Sequence, residues 1–224
     1  LEEFRFDGLR LDAIDQIEDP SDPPILEELA RSVRERIRDR HVHLTTEDNR
    51  NVAHLHRRRA DGAPRLYTAE WNDDFHHVAH VMATGETQGY YEDYVPDSAS
   101  RLARALAQGF AYQGEPSPYR DGAPYGEPSG ELPPTAFIDF LQNHDQIGNR
   151  AFGERLSVLA PERTVELLTA ILLLSPAIPM LFMGEEWAEQ RPFLFFTDFT
   201  GELGASVREG RRNVDKARRS SGRF

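Results

Sequence analysis

Apolar residues in this chain fall into short blocks whose spacing switches between two periods. Gly8–Leu11 is a compact block ending at Asp12, which predicts a short buried strand. Pro20, Pro23 and Pro24 then mark a loop, and Ile25, Leu26, Leu29, Val33 and Ile37 recur at helical spacing over 25–37. A second strand is predicted over 42–46, ending at Glu47, and a short helix over 52–60. Residues 65–69 read as a third strand, followed by a polar and aromatic block from Glu70 to His77 and a helix over 76–84. Ser98–Gln108 reads as a helix with Ser98 as its cap and Gly109 as its stop. Residues 112–134, rich in Gly, Pro, Ser and Tyr, read as a long loop or a lid. A fourth strand over 136–141 runs into Gln142-Asn143-His144-Asp145. Glu162–Leu174 is the clearest helix, opened by Pro161 and followed by Pro176. A fifth strand over 178–183 ends in Gly184-Glu185-Glu186.

Strands alternating with helices imply an α/β fold with a parallel sheet and right-handed crossovers. The notable polar residues fall just after the strands, where a (β/α)₈ barrel builds its active site. A doubly wound sheet also gathers polar residues there, but no strand is followed by G-x-G-x-x-G or a P-loop. Length qualifies the barrel: 224 residues fall short of the roughly 250 typical of a complete one. The chain starts without Met and without a basic stretch leading into an apolar one, so it reads as a piece of a longer protein. Its longest apolar run is too short to span a bilayer.

Charge and composition narrow the chemistry. The net charge is −12, from 26 basic and 38 acidic residues, which disfavours a general nucleic-acid binder. There is no cysteine, which excludes a disulfide scaffold, a thiolate zinc site and a cysteine nucleophile, and fits a reducing compartment such as the cytoplasm. Three acids, Asp12, Glu47 and Asp145, end three different strands. Carboxylates gathered at one rim suit glycoside hydrolysis, where one is the acid and another the nucleophile or base. Each alone is more often an ordinary cap or turn residue than a catalyst. Arg10, two residues before Asp12 in a strand, points to the same face and can support its charge. Asp73, Asp74, His76 and His77 lack firm metal-ligand spacing, so hydroxyl binding and helix capping are favoured over a metal. No cofactor is implied.

Phe6-Asp7-Gly8-Leu9-Arg10-Leu11-Asp12-Ala13 resembles the fourth-strand motif of the α-amylase family of glycoside hydrolases, and Phe140-Leu141-Gln142-Asn143-His144-Asp145 resembles its seventh-strand motif. Leu44-Thr45-Thr46-Glu47-Asp48-Asn49 is similar in position to the fifth-strand motif. The block Trp71-Asn72-Asp73-Asp74-Phe75-His76-His77, with Phe182-Met183-Gly184-Glu185-Glu186-Trp187, is similar to a trehalose-releasing subgroup of that family. The resemblance implies strands four to eight of the barrel over residues 1–212, with three strands upstream, and a divergent basic tail over 213–224. That tail belongs to a stretch, 208–224, with seven basic residues against Glu209 and Asp215, which reads as a solvated helix running into a loose end. It further implies Asp12 as nucleophile, Glu47 as acid and base, and Asp145 as the acid that holds sugar hydroxyls. Arg10, His144, Trp71, Asp73, Asp74, Phe75, His76 and Glu186 would be substrate contacts.

The implied substrate is maltooligosyltrehalose or a related α-glucan, with a possible link to the synthase that makes it, and neither nucleic acid nor membrane is expected as a partner. A glucan branching enzyme with the same acids, and a non-catalytic carbohydrate-binding relative, are the alternatives. The chain alone is expected to be unstable or to aggregate, because an incomplete barrel leaves a strand edge unpaired.

Overall fold

The computed structural model describes residues 1–195 and 198–220, with the side chains of Arg211 and of residues 213–220 left aside. In chain order the elements are β1 (Gly8–Leu11), α1 (Ile25–Arg36), β2 (His43–Thr46), β3 (Ala69–Trp71), α2 (Asp73–Thr84), α3 (Ser98–Gln108), β4 (Glu115–Pro116), β5 (Pro124–Tyr125), β6 (Phe137–Phe140), α4 (His144–Gly148), α5 (Leu156–Leu159), α6 (Glu162–Leu174), β7 (Ile178–Met180) and α7 (Gly201–Ser220). Five strands form one parallel sheet in the order β1-β2-β3-β6-β7, so the expected α/β class is observed. Its register pairs Leu11 with Thr46, Thr46 with Glu70, Trp71 with Ile138, and Phe140 with Met180.

The chain forms two compact units, Leu1–Leu141 with Leu168–Met180, and Gln142–Leu167 with the described residues from Leu181 on. The first contains the whole parallel sheet. One part of its core joins α1 to the sheet through Ile14, Ala30, Leu44, Leu55 and Tyr67, with Leu26, Leu29, Val33 and Ile37 packed against them. Those are the helical-period positions of the sequence, buried as the apolar stripe of a surface helix should be. A second cluster joins Ala53, Phe110, Ala136 and Phe137. Among the described residues, no helix is long and apolar enough to cross a membrane.

Several expected elements move. The helix expected over 52–60 is only one turn, His54–His56, because the chain doubles back: Arg58 bridges Pro64, and Arg59 N donates to Ala63 O. The third strand starts later than 65–69. Arg65 N and Tyr67 N donate to the returning segment at Arg57 O and Leu55 O, and sheet pairing begins with Thr68 N on Leu44 O. Glu70 and Trp71, expected to open the polar block, are therefore the last two residues of the strand. The fifth strand stops at Met180. The cap of α3 is Asp97, in the left-handed region at φ 54°, and its side chain makes no capping bond.

Residues 112–134 are packed, not an open lid. They hold the β4–β5 ribbon, and buried Ser117 and Ser129 donate to Asp93 Oδ2 (2.6 Å) and Gln108 O (2.7 Å). Near the end, α7 continues to Ser220 with no break at 212, and residues 221–224 of the expected tail lie outside the described residues.

Candidate active site

Asp12 and Glu47 follow the last residues of two neighbouring parallel strands, so the sheet itself brings their backbones together. Glu47 N donates to Leu11 O, and Ile14 N to Glu47 O, both at 3.0 Å. Past Asp12 the chain turns through Ala13, which sits in the left-handed region at φ 44°. A non-glycine residue there is strained by its Cβ. In this turn the Ala13 N–H donates to Glu47 Oε2 at 2.9 Å.

Arg10 does more than the strand period foretells. Its guanidinium donates to Asp12 Oδ1 and also pairs with Glu47 Oε2 at 2.6 Å. One cation thus bridges both carboxylates, as a planar fork with several donors can. Asp12 stays open, with 73% of its side chain exposed, whereas Glu47 and Arg10 are about three-quarters covered at 22% and 24%. The open carboxylate is the one able to meet an incoming group directly.

Trp71, expected as a sugar platform, is half-buried, and Arg10 lies over its ring at 4.0 Å from the centroid. Phe140 meets the indole edge-on at 5.9 Å. The rest of the Trp71–His77 block is placed differently from the sequence reading. Asp74 and Phe75 have no exposed surface and His76 has 1%, so these three do not face an approaching sugar.

The helical period turns this part of α2 into the core. Asp74 accepts from Ala111 N (2.7 Å), Tyr112 N (2.9 Å), Asn51 Nδ2 (2.8 Å) and the Tyr94 hydroxyl, and so ties three loops to the start of α2. His76 Nδ1 lies 2.7 Å from Leu141 O, and its Nε2 lies 3.2 Å from the Tyr91 hydroxyl. His77 is pushed down to about 3 by burial, with His80 and Arg120 adding to the effect, which makes it a neutral packing residue beside Tyr90 and Tyr94. Asp73 is half-buried in the first turn of α2, where a carboxylate suits the helix dipole. Among the described residues, no three His, Cys, Asp or Glu side chains are grouped to hold a metal.

Two buried acids in the first unit escaped the sequence reading. Glu70 in β3 is fully buried and raised well above the usual carboxylate range by burial, then by Asp48, Asp73 and Asp74. Its neighbour His56, 3.5 Å away, is lowered to about 4 by burial and shares a 2.9 Å contact with the Thr46 hydroxyl. Asp139 in β6 is pushed up to about 7 by burial, against a hydrogen bond from Asn72 Nδ2 at 2.8 Å. Both lie inside strands, where sequence alternation alone does not say which face is covered.

The second unit carries Asp145, His144 and Glu186. Asn143 caps the short α4 by accepting from Asp145 N (2.8 Å) and Gln146 N (3.2 Å). His144 Nε2 lies 3.4 Å from Asp145 Oδ2, and both side chains are more than a third exposed. Glu186 is exposed and accepts from Gly184 N at 2.9 Å, a local turn contact. Also in this unit, Gln142 donates to Glu185 Oε1 (2.9 Å) and accepts from Leu156 N (2.6 Å).

An open carboxylate thus stands beside a second one clamped by arginine, at the carboxyl ends of two parallel strands. Solved structures agree in fold. The chain matches a candidate α-amylase from Salmonella typhimurium with a TM-score of 0.92 and 60% identity, over 95% of this chain and 36% of that one. A debranching enzyme from Nostoc punctiforme shares the fold at a TM-score of 0.55 and 19% identity, over 97% of this chain and 41% of that one.

Curated relatives are more particular, for they carry the name malto-oligosyltrehalose trehalohydrolase, a glycosidase. The chain is 42% identical over 218 residues to the one from Deinococcus radiodurans, 38% over 213 to the one from Saccharolobus solfataricus and 37% over 217 to the one from Mycobacterium tuberculosis. These matches cover 95% of this chain but only 34–37% of the relatives, so the chain spans about a third of their length. No family model matches. The resemblance read from the motifs is borne out by these relatives.

Proposed function

We propose that this chain is strands four to eight of a (β/α)₈ barrel in a retaining glycoside hydrolase that releases trehalose from the end of maltooligosyltrehalose. The observation that carries the reading is the Arg10 bridge, one guanidinium bound to both Asp12 and Glu47 at adjacent strand ends. Two carboxylates on one guanidinium fit the separation of roughly 5–5.5 Å that a retaining pair uses. The relatives' shared name supplies the substrate.

In the first step Asp12 attacks the anomeric carbon next to the trehalose unit, and Glu47 gives its proton to the departing glycosidic oxygen. In the second step Glu47 takes a proton from water, whose oxygen displaces Asp12 and restores the original anomeric configuration. Asp145 and His144 hold sugar hydroxyls. Arg10 holds the Asp12 carboxylate in place, and Trp71 supports Arg10 from behind. The substrate would come from the synthase that forms maltooligosyltrehalose, in the cytoplasm, in keeping with a chain without cysteine.

The test is product analysis with the complete reading frame on maltooligosyltrehalose. Free trehalose is expected, and Asp12→Asn and Glu47→Gln each lower turnover by about 10²–10⁴-fold or more. Branched glucan as the product would overturn the reading in favour of transfer, and full activity of Asp12→Asn would remove the nucleophile.

A further inference from the structure

The end of the sheet opposite Asp12 and Glu47 holds a cavity of about 520 Å³, a size that suits a compact ligand. The last turns of α1, the α1–β2 connection and the segment leading into β3 line it. Its wall carries Arg31, Arg34, Arg38, Arg40, Arg59 and Arg65, with Glu35 as the sole carboxylate among the lining residues. This is the reverse of the chain as a whole, whose charge is −12.

Cations crowded this way repel one another unless something answers them. The protein does so for part of the set. Arg34 is spent on the carbonyls of Val42 and Leu66, and Arg40 on those of Leu1 and Phe6 and on Asp7. Arg31 pairs with Glu27 at 2.6 Å.

The rest is not answered. Arg59 has only an exposed, loose pair with Asp61 at 3.6 Å. Arg38 uses Nε on Glu35 O, which also blunts the partial negative charge at the end of α1. The Arg65 guanidinium has no acceptor among the described residues. Burial, with the charge of Arg59 adding to it, lowers the affinity of Arg34 for its proton.

We propose that this cavity binds a small multianionic ligand of the diphosphate class, held by Arg38, Arg59 and Arg65. Three guanidiniums from two chain segments offer forked donors that match several phosphoryl oxygens at once. A bound diphosphate ties the end of α1 to the segment before β3. It therefore stabilises the fold from the side remote from the acids.

The experiment is calorimetric titration of the protein expressed from the complete reading frame with inorganic pyrophosphate at constant ionic strength, with chloride as the control anion. Saturable binding of one pyrophosphate per chain is expected, with a rise in Tm at saturation. Arg38→Ala/Arg65→Ala, both at exposed positions, weakens binding tenfold or more while the far-ultraviolet circular dichroism is unchanged. Asp12→Asn leaves binding unchanged. ADP binding more tightly than pyrophosphate identifies a nucleotide as the source of the diphosphate, and equal affinity identifies the bare anion. Absence of saturable binding, binding that survives the double substitution, or a preference for a polyglutamate peptide over pyrophosphate would each overturn the proposal.

Discussion

Trp71 offers the sharpest contrast between a residue read alone and a residue in place. An indole beside a strand end suggests a sugar platform, yet in the structure Arg10 stands over its ring. In the proposed reaction Trp71 would act through Arg10. Trp71→Ala is expected to lower kcat about tenfold with little change in KM, since a partly desolvated cation–π contact contributes about 1–2 kcal/mol, and Trp71→Phe should recover most of it. A raised KM at constant kcat would restore the sugar-contact role.

Asp74 makes the opposite case. Its four hydrogen bonds are internal, so Asp74→Ala should lower stability by about 2–4 kcal/mol, read by denaturant unfolding, because several buried donors lose their acceptor. Asp139 adds a pH dependence. Its carboxyl titrates near 7 in the folded chain and at its ordinary low value when unfolded, so the folded state binds more protons in between. Stability from this group is therefore present in acid, falls as pH rises from about 4, and is fully lost above about 7. Asp139→Asn should raise Tm at pH 8, by up to about 4 kcal/mol of stability, and leave it unchanged at pH 4.

Elements with a full apolar period were legible in the sequence. Ser98–Gln108 and Glu162–Leu174 match the expected limits, and 25–37 differs from α1 by one residue. Short segments were not. The pattern over 52–60 suits a helix, but the reversal at Arg59–Ala63 captures its backbone groups. The start of β3 is set by pairing with residues far along the chain, which local periodicity does not contain. Gly109 shows how one residue serves an element boundary. It ends α3 at φ 91°, and an added Cβ would lie 2.0 Å from the Phe137 ring. Gly109→Ala should destabilise the first unit by at least about 2 kcal/mol, from backbone strain and overpacking together, measured as a shift of the denaturant midpoint.

At the scale of the molecule, the five-stranded sheet ends on β1 and β7 with no further neighbour among the described residues. Leu9 on β1 and Phe4 and Phe6 just ahead of it are exposed, as are Leu173 and Leu174 just ahead of β7. Bare edges beside apolar side chains promote association. The isolated chain should elute from size exclusion above its 25.5 kDa mass at micromolar concentration, and Leu9→Lys should shift material toward monomer. A sharp monomer peak for the unsubstituted chain would contradict this.

By itself the sequence determined the alternation of strands and helices and the shared face of Arg10 and Asp12, because each follows from a period of two or 3.6 residues; it placed Asp12 and Glu47 directly after strands, whereas Asp145, read as a third strand-end acid, lies in α4, five residues beyond β6. Tertiary structure alone decided that Arg10 also reaches Glu47, that Trp71 carries Arg10, that Asp74 and His76 turn inward, and that arginines from two segments surround one cavity. All of these depend on residues tens of positions apart, whose distance is set by the register of the sheet and by packing against it.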